Sequence, residues 1–319
     1  MKKIALEEHF ILPSLLPHML AAMPLVTPEA SRALVDAMSD FGERRLAAMD
    51  AAGIEIAVLS ISGPGVQAEA DAARAVDLAR DANDFLAEAI AGRSDRYRGF
   101  AHLAMQDVPA ATAELRRCVR DLGFVGSLVN GHTQGVYLDD ARYDPFWEVM
   151  QELDVPLYLH PGDSYVLPHV LQGAPELRKP TWEWTIEMSS HFLRLVFAGV
   201  FDRFPRLKIV LGHMGETLPY TLWRLDSRAA LITGKRPLKL KPSDYLRRNL
   251  FVTTSGQCDD VPLIAAISAL GADNVLFSAD YPYEDSAVAG QFVDNAAIDE
   301  ATREKVARLN AVRLMNLTV

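Results

Sequence analysis

Six ionisable side chains stand just beyond short apolar runs that are far apart in the chain. They are Glu7 and His9 in Ala-Leu-Glu-Glu-His-Phe, His160 in Leu-Tyr-Leu-His-Pro, His213 and Glu216 in Leu-Gly-His-Met-Gly-Glu, and Asp280 in Phe-Ser-Ala-Asp-Tyr-Pro. Side chains two apart in extended backbone share a face, so Glu7 and His9 point one way together while Glu8 points away. With the His160 imidazole and the Asp280 carboxylate they make two nitrogen and two oxygen donors, a set suited to Zn²⁺, Mn²⁺ or a similar divalent ion, Mg²⁺ included. Each piece alone is weak, since a histidine at a strand end is often only a hydrogen-bonded structural group. Gathered at one place they call for a cation, because burying unpaired carboxylates and imidazoles together costs several kcal/mol.

Something must bring them together. Short β-branched runs alternate with helical patterns along the whole chain, the mark of βα units around a parallel sheet. The spacing predicts strands over 3–6, 56–60, 97–103, 126–129, 156–160, 208–211, 250–254 and 274–278. It predicts helices over 41–52, 68–91, 109–121, 145–153, 185–201, 217–231, 261–270 and 300–314. Eight strands with a helix after each favour an α/β fold of the closed (β/α)8 TIM-barrel type, with catalytic groups at the C-terminal ends of the strands. Ile11 to Met38 and Tyr165 to Pro180 read as loop excursions over that face. Nothing divides the chain, so 1–319 is read as one domain.

Composition excludes several classes. Half of the 319 residues are hydrophobic and 23% charged, as in folded globular proteins. A net charge of −10 repels nucleic acid and anionic lipid, and the longest basic cluster is only Lys235 to Lys241. No apolar run is long enough to span a membrane. Cys118 and Cys258 are the only cysteines, too few for a disulfide framework, which points to a reducing, cytoplasmic location.

The Glu-x-His after the first strand, His-Pro after the fifth, Gly-His-Met-Gly-Glu after the sixth and Ser-x-Asp-x-Pro after the eighth resemble the amidohydrolase superfamily. Within it the chain is similar to the aminocarboxymuconate-semialdehyde decarboxylase-related branch, and above all to γ-resorcylate, hydroxybenzoate and 5-carboxyvanillate decarboxylases. Ile-Ala-Leu-Glu-Glu-His-Phe, Asp121 to Gly126, Phe201-Asp202, Pro205-Arg206-Leu207, Leu218-Pro219-Tyr220 and Trp223-Arg224 carry the similarity across nearly the whole chain. The resemblance implies metal ligation by Glu7, His9, His160 and Asp280, a His213 and Glu216 pair beside the metal, and Arg224 as a substrate-side cation. It implies a single metal without a carbamylated lysine, for Asn130 follows Leu128 and Val129 where such a lysine would end strand four. It also implies a homodimer or homotetramer. The chain departs from these relatives at Gly162-Asp163-Ser164-Tyr165, where a His-Pro-Arg pattern is expected.

The activity so implied is loss of CO2 from an ortho-hydroxylated aromatic carboxylate, a step in aromatic compound metabolism, with a small aromatic acid as the substrate. Asp280 is expected to protonate the ring carbon and His213, raised by Glu216, to supply the proton. Arg224, His160 and Phe10 are expected at the substrate, and Trp223 suggests that Arg224 is partly buried. For His213 and Glu216 the alternative is a helix N-terminal arrangement, with Glu216 facing the positive end of a helix starting near Thr217. The alternative activities are a metal-dependent hydrolase of a lactone, amide or ester, and a catalytically silent barrel. His191, on a helical stripe with Leu195 and Ala198, reads as packing.

Overall fold

In a computed structural model, which describes residues 1–232 and 236–318, nine parallel strands occupy the eight expected positions. Lys235, the start of the basic stretch, lies outside the described residues. The strands are β1 (Lys3–Phe10), β2 (Ile54–Ile61), β3 (Tyr97–Gly99), β4 (Ala101–His102), β5 (Ser127–Asn130), β6 (Leu157–His160), β7 (Ile209–Leu211), β8 (Leu250–Thr253) and β9 (Val275–Leu276). The run expected over 97–103 is split at Phe100, where the chain changes partners: Phe100 N donates to Leu59 O, and Ala101 N to Gly126 O. The order is β1-β2-β3 and then β4 to β9 in sequence, each pair parallel.

The ring closes where the chain after β9 meets β1. Leu6 N donates to Ser278 Oγ at 3.1 Å, Asp280 N to Glu7 O at 3.1 Å and His9 N to Tyr281 O at 2.7 Å. Inside it Ile4, Leu6, Ile56, Val58, Phe100, Leu128, Tyr158, Val210 and Leu276 form one buried cluster with Ala311 and Leu314 of the helix Asn310–Leu314 and with Met315 just after it. Side chains from so many strands meet only in a barrel interior, which is a packed core.

Between Ala5 and Glu8, β1 carries one residue more than β2: Ala5 lies opposite Ala57, but Glu8 lies opposite Leu59. Such a bulge shifts the alternation by one. Ile4 and Leu6 therefore face the interior below it, and Glu7 and His9 face it above.

Most expected helices form, with earlier breaks. The stretch over 185–201 is Glu183–Phe197 followed by Val200–Arg203, interrupted at Gly199 with φ 68°. The stretch over 217–231 reduces to a short turn, Leu218–Tyr220, and the helix Leu222–Ala229. Helices Pro28–Met38, inside the first excursion, and Ser286–Asn295 were not anticipated; each starts on a capping side chain, Thr27 and Asp285. No helix among the described residues is long and apolar enough to cross a membrane.

Candidate metal and catalytic site

The six ionisable groups lie at or just beyond the C-terminal ends of the strands β1, β6, β7 and β9. Glu7 and His9 are fully buried, and Glu7 Oε1 stands 3.2 Å from His160 Nε2 and 4.0 Å from both His9 Nε2 and His213 Nε2. His9 Nε2 is 3.3 Å from Asp280 Oδ1, and His213 Nε2 is 3.9 Å from Asp280 Oδ2. Glu7, His9 and His160, and again Glu7, His213 and Asp280, each offer three donor atoms close enough to share one ion.

The residues fit a divalent cation. Glu7 Oε1 and both His9 ring nitrogens are buried without a hydrogen-bond partner, a state that costs a few kcal/mol per group unless a ligand satisfies it. The other Glu7 oxygen is held by the Tyr158 hydroxyl, itself 2.9 Å from Thr253 Oγ1. Tyr158 lies two residues before His160 on β6 and so shares its face. That spacing was readable in the sequence, and this residue was missed there.

Electrostatics set His213 apart from the carboxyls of Glu7 and Asp280. Burial opposes charge on both Glu7 and Asp280. The imidazoles of His160 and His213 outweigh it at Glu7, and those of His213 and His9 at Asp280, leaving both carboxyls below their ordinary values. Burial would likewise lower His213, but Glu216 and Asp280 overcome it and hold the imidazole well above its usual value. Glu216 Oε1 is 2.8 Å from His213 Nδ1, and its other oxygen accepts from Thr185 Oγ1 at 2.8 Å. Glu216 is thus a partner of His213 and not the helix N-terminal residue of the alternative reading. His213, Met214, Glu216 and Asp280 all have positive φ, from 51° to 68°, a costly backbone for non-glycine residues that concentrates at functional sites.

Two of the residues expected at the substrate lie away from the donor cluster. Phe10 follows His9 and so faces outward, packing against Phe41, Phe85 and His102 in the main core. Trp223 is 77% exposed, so the partial burial inferred for Arg224 fails. Arg224 is exposed on the helix Leu222–Ala229 and, among the described residues, forms no ion pair with the cluster. The His160 ring lies 5.0 Å from that of His9 and 6.4 Å from that of Trp184. Asn130 ends β5 level with His160. Tyr283 was not anticipated: its ring lies 5.4 Å from that of His9 and its hydroxyl 2.6 Å from Ser62 Oγ. His191 is buried and accepts the Leu138 N–H at 3.0 Å, as its packing role requires.

Comparison with known proteins agrees with this geometry. The amidohydrolase model matches residues 11–317. The chain belongs to the amidohydrolase family. It is 47% identical to the γ-resorcylate decarboxylase of Polaromonas sp. (strain JS666), across 99% of this chain and 98% of that one. A crystal structure of 2,6-dihydroxybenzoate decarboxylase with 2,6-dihydroxybenzoate bound superposes with a TM-score of 0.94 at 44% identity, covering 99% of this chain and all of that one. So does the dihydroxybenzoic acid decarboxylase of Polaromonas sp. JS666 with manganese and 2-nitroresorcinol, at TM-score 0.94 and 46% identity, over 99% and 97% of the two chains. The fold of this amidohydrolase is therefore the family's TIM barrel, and its donor cluster is consistent with one divalent metal ion.

Proposed function

We propose that this protein is a divalent-metal-dependent carboxy-lyase, removing CO2 non-oxidatively from an ortho-hydroxylated aromatic carboxylate of the γ-resorcylate type, as one domain over residues 1–319. The observation that carries it is the pairing of orphaned donor atoms on Glu7 and His9 with a His213 imidazole 2.8 Å from Glu216 and 3.9 Å from Asp280. Relatives of this similarity are named as decarboxylases, which favours CO2 loss over the hydrolytic alternative.

Direct loss of CO2 from an aryl carboxylate leaves an aryl anion, so the ring carbon bearing the carboxylate must first be protonated. An ortho hydroxyl makes that carbon basic enough. Glu7, His9, His160 and Asp280 would hold the cation, which would supply Lewis acidity at the substrate. Asp280 delivers the proton to the ring carbon. Its depressed pKa makes it a carrier rather than a store, so the resting proton sits on His213, 3.9 Å away. Glu216 keeps that imidazole charged and fixes its tautomer. When CO2 leaves with the C–C bonding pair returned to the ring, aromaticity is restored.

Unpaired Cys118 and Cys258 support a cytoplasmic setting, and exposed Tyr220, Trp223, Leu231 and Ile232 around Arg224 support assembly into a homo-oligomer. The test is CO2 and phenol release from 2,6-dihydroxybenzoate by Mn²⁺-loaded protein, with Asp280→Asn beside it. The wild type turns over, and D280N loses roughly 10²–10⁴-fold in kcat while retaining metal. No CO2 from the loaded wild type overturns the function; full activity in D280N removes Asp280 as the acid.

A further inference from the structure

The loop after β6 departs from the expected His-Pro-Arg pattern, and Asp163 within it has no part in the chemistry above. Its carboxylate is shared between two donors: Oδ1 accepts the Trp184 indole N–H at 2.9 Å and Oδ2 accepts Lys179 Nζ at 2.6 Å. Next to it Glu183, fully buried, accepts Ser164 N–H at 3.1 Å on one oxygen, and on the other Arg178 Nε–H at 2.6 Å and Lys179 N–H at 3.1 Å. The entrance and exit of the 165–180 excursion are thus pinned to the first turn of the helix Glu183–Phe197. That turn carries Trp184, half-buried and with its ring centre 6.4 Å from the His160 ring.

An indole has a single N–H. When its acceptor is a carboxylate anchored by an ammonium, the hydrogen bond is charge-assisted and sets the direction of the ring plane. A flat indole beside a metal-ligating histidine offers an aromatic acid a stacking surface. We propose that Asp163 is a positioning residue for substrate binding: it acts through Trp184, holding the indole as a wall of the mouth against which the planar substrate ring lies. The identity of that substrate as an aromatic acid rests on the decarboxylase reading. Asp163 touches neither the donor cluster nor the proton relay, so its contribution falls on substrate affinity and not on the chemical step.

The experiment is a double-mutant cycle in the full-length, Mn²⁺-loaded protein. Asp163→Ala, Asp163→Asn, Trp184→Phe and D163A/W184F are compared by KM and kcat for 2,6-dihydroxybenzoate and by its calorimetric Kd, with metal content as the check on the barrel. D163A raises KM and Kd roughly tenfold, the scale of one lost hydrogen bond to a charged acceptor, with kcat within about twofold. D163N, which keeps a carbonyl acceptor for the indole, recovers most of the loss. In the W184F background, where no N–H remains, D163A changes either constant by less than about twofold. An equal effect of D163A in both backgrounds, or a fall in kcat at unchanged KM, overturns the proposal. Absence of CO2 release with the coupling present in Kd defeats the functional reading and leaves the Asp163–Trp184 assignment standing.

Discussion

A Cβ on Gly212 would stand 2.6 Å from Oε2 of Glu7 and 3.1 Å from the Tyr158 hydroxyl. The loop after β7 thus lies directly against the carboxylate that the donor cluster shares, and only a residue without a side chain permits it. Gly212→Ala pushes Glu7 away from His160 and the other donors. Displacing a supporting contact of a ligand weakens metal affinity by roughly 10–100-fold. Competition titration with a chelator reads that loss directly, while an unchanged far-ultraviolet circular dichroism spectrum shows the barrel intact.

The 2.8 Å contact between His213 Nδ1 and Glu216 Oε1 yields a pH prediction. Burial opposes charge on His213, and Glu216 is the largest of the groups that reverse it. A raised folded-state pKa means that the imidazolium and its stabilising pair are fully present below the unfolded value of about 6.5 and are lost as pH rises through the folded one. Activity that needs the His213 proton therefore falls on the alkaline side. In Glu216→Gln the alkaline limb of the kcat/KM profile moves to lower pH; a limb that stays in place removes His213 as the proton source.

Much of this site was legible because it obeys period-two alternation at strand ends. Glu7 with His9, and the set with His160, His213 and Asp280, follow from which residues come after each apolar run. What the alternation does not reveal is the bulge between Ala5 and Glu8. Without it, a strand with Ile4 and Leu6 inward would aim Glu8 and Phe10 at the mouth and His9 outward. Phe10 was misplaced by ignoring the alternation that placed His9 correctly. Trp223 misled because tryptophan is buried on average, whereas its helix turns Leu222 and Ala229 inward and leaves Trp223 outside. The Asp163 and Glu183 clamp joins residues about twenty apart through carboxylates that accept from side chains and from backbone N–H groups, and no local period marks such contacts.

His191 and His102 give the opposite pH behaviour. Burial is the main cause that brings both down to about 3, helped by His132 at His191 and by His9 at His102. Each is neutral in the native protein and charges in the unfolded chain below about 6.5, so stability is complete above that pH and declines as pH falls toward about 3. Each neutral buried histidine costs about 1.4 kcal/mol per pH unit in that window. Urea unfolding at about pH 7.5 and 5.5 shows the decline, and in His191→Gln, whose side-chain carbonyl still accepts the Leu138 N–H, the difference shrinks by about 1.4 kcal/mol.

Glu8, the member of the Glu-Glu-His triplet that faces away from the mouth, stitches the first and last strand ends together. Its Oε1 accepts the Ala279 N–H at 2.9 Å, one residue before Asp280, while Arg45 Nη2 donates to His9 O at 2.6 Å. Burial, opposed by the Ala279 bond and by Arg45, pushes the Glu8 carboxyl up to about 8, so near neutral pH it is largely a neutral acid. A glutamine matches that form in shape and keeps the acceptor. Glu8→Gln therefore holds its Tm and metal content close to the wild type. Glu8→Leu leaves the buried Ala279 N–H without a partner, at a cost of about 1–3 kcal/mol, and lowers Tm by a few degrees. Because Ala279 precedes Asp280 of the donor cluster, E8L also lowers metal affinity, read by the same chelator titration. An E8Q variant as damaged as E8L would show that the charge of Glu8, and not its hydrogen bond, holds the strand ends together.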